Sequence, residues 1–74
     1  MNRAEREEPV EVSFERIIHI SDKAVLFEIE GSDEWIPKSL VDNLDDILEH
    51  DKATPGEVSI PRWKAVERGW EDEE

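Results

Sequence analysis

With 74 residues, a formal net charge of −12 and 41% charged side chains, the chain reads as one small acidic domain. It has no cysteine, which excludes a disulfide framework, and two histidines alone make a poor zinc site. Its acidic excess counts against a general nucleic-acid binder, which needs Lys and Arg to neutralise phosphates, and no run approaches the roughly 18 apolar residues of a membrane span.

A chain this short buries only about 60% of its unfolded surface, so stability rests on a few large side chains. Phe14, Phe27, Trp35, Trp63 and Trp70 are the ones available.

Residues 1–9 are polar and mixed in charge, and read as a flexible segment ahead of a single domain over residues 10–70. Val10, Val12, Phe14, Ile18 and Ile20 share one parity, which predicts a long strand with one core face. Arg16 falls on that apolar parity and Ile17 on the other, so a bend or bulge is expected near Glu15-Arg16. Ser21-Asp22-Lys23 then turns the chain.

Lys23 to Lys38 reads as a hairpin at the middle of the sheet. Val25, Phe27 and Ile29 alternate with Ala24, Leu26 and Glu28. Gly31-Ser32-Asp33 supplies the turn, and Pro37, having no N–H, ends the pairing. Leu26 on the second face suggests burial on both sides.

After Pro37 the period changes. Leu40, Val41, Leu44, Ile47 and Leu48 follow helical spacing, with Ser39 as a candidate cap and Asp42, Asn43, Asp45, Asp46 and Glu49 outside. The alternative is that Leu40-Val41 finishes the strand and the helix starts at Asp42 or Asn43. Thr54-Pro55-Gly56 breaks this helix, and Val58 and Ile60 mark a short strand. Pro61 suits the first position of a last helix bearing Trp63, Ala65 and Val66. Gly69 falls at its left-handed cap with Trp70 folding back, and residues 71–74 form an acidic tail. The order β-β-β-α-β-α predicts an α+β domain: a small antiparallel sheet or an SH3-like, partly open barrel.

Ala24 to Gly31, with Glu34-Trp-Ile-Pro-Lys-Ser39, resembles a group of small uncharacterised proteins of tailed phages and prophages. Glu57 to Trp63, Glu-Val-x-Ile-Pro-x-Trp, is similar to a second block of the same pattern. The two blocks cover roughly half the chain, while the Leu44–Lys52 segment departs from the shorter connection of the group. The resemblance implies phage origin and brings no chemistry with it. Phages often encode small acidic inhibitors of host or defence proteins.

No residue set carries a catalytic signature. Carboxylates are too abundant for any pair to be specific, the serines lack a nucleophile context, and Gly31 and Gly69 are explained by turn and cap. His19 and His50 read as a solvated strand residue and a helix-end residue, so neither metal nor cofactor is expected. Trp35 is expected in the core, with a stacking or peptide-binding platform at Trp35-Ile36-Pro37-Lys38 as the alternative, and Trp70 as the partly exposed tryptophan.

The residues that point to function are acidic. Glu28, Glu30, Asp33 and Glu34 on the hairpin and Asp42, Asp45, Asp46 and Glu49 on the helix form a candidate partner-binding set. Trp35 and Trp70 are its candidate anchors. Glu28 and Glu30, two apart on a strand, would lie roughly 6.6–7 Å apart, comparable to neighbouring phosphates. Such a surface suits a protein with a basic face, as a DNA mimic of the anti-CRISPR or anti-restriction kind. The rival is an accessory nucleic-acid-binding module using Lys38, Arg62, Lys64 and Arg68, and a structural phage component is the third reading. A cytoplasmic location is expected.

Overall fold

The computed structural model describes residues 8–71. Among these, the order is β1 (Pro9–Phe14), β2 (Arg16–Ile20), β3 (Ala24–Ile29), β4 (Ser32–Pro37), a 3-10 turn over Lys38–Leu40, α1 (Leu44–Glu49), β5 (Gly56–Pro61) and α2 (Arg62–Glu67). The strands make two antiparallel sheets, β2-β3-β4 and β1-β5. The domain is α+β as expected, and its sheets do not close into a barrel. Pro9 already belongs to β1, opposite Pro61, so the ordered strand begins inside the segment expected to be flexible. Residues 1–7 and 72–74, most of that segment and of the acidic tail, lie outside the described residues.

The expected bend falls at Glu15. Its N–H bonds the Glu28 carbonyl at 2.8 Å, so one continuous stretch leaves the β1-β5 sheet and enters the other. The break inverts parity. Phe14 and Ile17 are both buried although three positions apart. The register between β2 and β3 then slips between Ile17 and His19, leaving Ile18 as the extra residue and returning Ile20 to face Val25. The core position assigned to Ile18 is therefore taken by Ile17, and Ile18 is half-buried.

In β3 the alternation holds: Val25, Phe27 and Ile29 are buried, and Ala24, Leu26 and Glu28 half-buried. The turn comes earlier than expected, at Glu30-Gly31, because Ser32 already pairs with Ile29. Glu30 and Gly31 have φ of 54° and 79°, the positive pair of a two-residue I′-like hairpin.

The helix after β4 is shorter than its periodicity suggests. Ser39 lies in the 3-10 turn rather than at a cap, and Val41 is extended and buried. The cause is the outer edge of β5. Asn43 Nδ2 donates to the Glu57 carbonyl, Asn43 Oδ1 accepts from Ser59 N–H, and Asp42 N–H donates to the Ser59 carbonyl. Residues 42 and 43 thus act as a substitute strand, and α1 starts only at Leu44.

Pro61 closes β5 and stands at the N-cap of α2, one residue earlier than its expected place. The end of α2 is as expected. Gly69, at φ 80°, donates its N–H to the Val66 carbonyl, and Trp70 N–H reaches the Ala65 carbonyl at 2.8 Å. These are the two bonds of a Schellman cap, and Trp70 folds back on the core. The core joins Phe14, Phe27, Ile36, Ile47, Val58 and Ile60 from both sheets and α1. Burying each such side chain contributes roughly 1.5–3 kcal/mol.

Candidate interaction surface

One face of the β2-β3-β4 sheet carries the core. Its other face presents two rows that cross all three strands. Arg16, Glu28 and Asp33 are register partners in the first, and His19, Leu26 and Trp35 in the second. Arg16 Nε bonds Glu28 Oε1 at 2.6 Å, and the His19 and Trp35 rings stand edge to face at 6.2 Å. Glu28, by hydrogen bond and charge, raises the Arg16 guanidinium pKa above its ordinary value, with Asp33 adding to the effect.

Trp35 is therefore not a core residue. Ile36 takes the inner position and is fully buried, while Trp35, on the opposite parity, is 52% exposed. Trp63 and Trp70 are half-buried, so Trp35 rather than Trp70 is the most exposed tryptophan. Trp35→Ala should cost only about 0.5–1 kcal/mol, the worth of a cross-strand aromatic pair, in a urea titration. A loss of about 3 kcal/mol would restore it to the core.

The acidic residues fall into two groups on separate elements. On the hairpin, Glu28 is held by Arg16, and Glu34 points to the inner side of β4 and pairs with Arg68 beyond α2. Glu30 is the first turn residue, so the strand spacing expected between it and Glu28 does not hold. Asp33 is exposed, and Glu15 reaches across to accept the Gly31 N–H at 3.1 Å. On α1 and its approach, Asp42, Asp45, Asp46 and Glu49 are exposed, and none is paired with a described Lys or Arg. The first three line an open hollow with Asn43 and Leu44.

Two of the four candidate basic residues, Lys64 and Arg68, are held in ion pairs, while Lys38 and Arg62 have none among the described residues. Lys64 pairs with Glu67 at 3.0 Å, and Arg68 lies over the Trp70 ring, 5.9 Å from its centroid, while holding Glu34. His50 has a structural setting that the sequence did not suggest. Its ring packs edge-on to Phe14 at 5.3 Å. Its Nε2 lies 3.0 Å from the Thr54 carbonyl, which only accepts, so Nε2 carries the proton. The His19–Leu26–Trp35 row was also missed, although the shared parity of Leu26 and Trp35 across the turn pointed to it.

Among the described residues no group of three or more His, Cys, Asp or Glu is placed to hold a metal ion. No described helix is long and apolar enough to cross a membrane. Comparison of the chain with family models, with curated proteins and with solved structures found no match.

Proposed function

We propose that this chain is a non-enzymatic protein-binding module whose partner presents a basic surface. In its sharpest form it is a phage-type acidic inhibitor that occupies the nucleic-acid site of a host nucleic-acid-binding or defence protein. The observation that supports this reading is the set Asp42, Asp45, Asp46 and Glu49, exposed and unmatched by described cations in a chain of net charge −12. A basic groove closing on these carboxylates releases its counterions as it does on DNA, and long-range attraction speeds the encounter. The two sheets joined through Glu15 form the scaffold, read here as SH3-like and partly open. The accessory nucleic-acid-binding reading finds less support, because two of its four cations, Lys64 and Arg68, are engaged by Glu67 and Glu34, which leaves Lys38 and Arg62 to carry it.

The test is capture from a bacterial lysate by the chain and by its D42K/D45K/D46K variant. A basic nuclease, polymerase or defence effector should be retained by the first. The reversal should weaken that complex about tenfold or more, with the wild-type affinity falling steeply as salt rises. Capture that survives both the reversal and high salt overturns the reading. So does direct binding of DNA by the chain at micromolar level near ~0.1 M salt.

A further inference from the structure

We infer that the outer edge of β4 is a docking strand for an extended basic segment, which adds to the sheet as an antiparallel fourth strand beside the Arg16–Glu28–Asp33 and His19–Leu26–Trp35 rows. The inference rests on the proposed reading only in requiring a basic partner, and it assigns the contact to the hairpin rather than to α1.

The backbone decides which groups are free. Lys38 N–H bonds the Lys23 carbonyl, which brackets the Ala24–Pro37 pair and makes it a non-hydrogen-bonded pair of the ladder. Alternation gives the same status to Leu26–Trp35 and Glu28–Asp33. The N–H and C=O groups of Asp33 and Trp35 therefore point away from β3. Among the described residues no backbone or side-chain group bonds them, and no strand neighbours β4 on that side. Pro37, without an N–H, ends the edge. The opposite edge of the sheet is not free in this way, because Ile17 N–H is taken by the Lys52 carbonyl.

Charge selects the occupant. Glu28 and Asp33 face each other in a non-hydrogen-bonded pair, where side chains are closest and like charges oppose each other. Arg16 is the one cation of this row, while Glu15 and Glu30 flank the same turn. An incoming Lys or Arg opposite Asp33 relieves that repulsion. A second basic residue two positions on, roughly 6.6–7 Å away on the same face, reaches the exposed ring of Trp35 for a cation–π contact. A second copy of this chain is the poorer guest, since its charge is also −12. Acidic residues along an open edge deter acidic strands and admit basic ones.

The probe is a short, end-blocked peptide of alternating Lys and Val, titrated into the full chain and followed by backbone amide NMR. The Asp33 and Trp35 amides should shift together with His19 and Leu26, and the first two should gain protection from hydrogen exchange. In antiparallel addition the residues opposite Asp33 and Trp35 exchange both backbone bonds with them. N-methylation of the Lys amides should therefore weaken binding about tenfold or more, whereas N-methylation of the Val amides should leave it unchanged. Asp33→Lys, at an exposed site, should weaken the parent peptide while leaving the spectrum of the fold intact. Equal binding by the two methylated peptides overturns the inference, as does a shift pattern centred on α1 or no shift at about 1 mM peptide. Self-association through β4 in sedimentation overturns it equally. A partner lost with the α1 reversal, while the peptide leaves β4 untouched, sinks this inference and leaves the proposed function standing.

Discussion

Phe14→Ala should lower the stability of the domain by about 3–5 kcal/mol, the range for deleting a buried aromatic ring. Phe14 is 1% exposed, at the last position of β1 before the Glu15 break. Its ring lies 4.9 Å from that of Phe27 in the other sheet and 5.3 Å from His50 after α1. One side chain thus ties three elements together at the point where the chain changes sheets. A domain of this size has roughly 4–11 kcal/mol of stability in all, taking 0.05–0.15 kcal/mol per residue. The loss therefore takes from about a quarter of that stability to all of it, and the urea midpoint followed by circular dichroism should fall accordingly. A midpoint shift worth less than about 1.5 kcal/mol would mean that the two sheets hold together without this ring.

What could be read in advance depended on whether local preference and tertiary pairing agreed. At Val25, Phe27 and Ile29 they agree, because a strand with one face on the core shows period two however it is paired. At Gly69-Trp70 the cap is made within one turn of chain, so its residues carry the whole signal. The Ile17–Ile18 assignment failed because parity is only as good as the strand is regular. The break at Glu15 and the slip at Ile18 each shift it by one.

In the α1 region the longer helix capped by Ser39 failed for a different reason, while the alternative start at Asp42 or Asn43 falls within two residues of Leu44. Leu40, Val41, Leu44 and Ile47 fit a helix locally, but the edge of β5 needs two partners, and Asp42-Asn43 supply them. Nothing in the spacing records a demand made by a strand sixteen residues away. Trp35 belongs with this second kind. A tryptophan in a small domain suggests core, yet its parity opposite Ile36 had already placed it on the other face. The acids were legible as acids, but not which of them meet a cation. The Glu28–Arg16 and Glu34–Arg68 pairs join residues far apart in sequence. Among the candidate acids, that pairing leaves the α1 carboxylates, Glu30 and Asp33 without a described cation, and the two functional proposals turn on the α1 group and on Asp33.

Gly56→Ala should cost about 1–3 kcal/mol, although glycine at this position is not required by a positive φ. The constraint is space. A Cβ on Gly56 would come within 2.7 Å of His50 Cε1 and 2.8 Å of Phe14 Cζ, closer than carbon atoms approach without something moving. Neither ring can simply swing away. Phe14 is wedged against Phe27, and His50 is anchored through Nε2 to the Thr54 carbonyl. Gly56 also pairs with Phe14 across the β1-β5 ladder, so shifting its backbone disturbs the end of that sheet. The origin of the cost can be isolated by a double-mutant cycle. Phe14→Leu removes the ring tip that the new methyl strikes, and in that background Gly56→Ala should cost about 1 kcal/mol less than in the wild type. If the two changes simply add in urea unfolding, the methyl does not meet Phe14, and the close packing of β5 on the hinge ring is not what selects glycine.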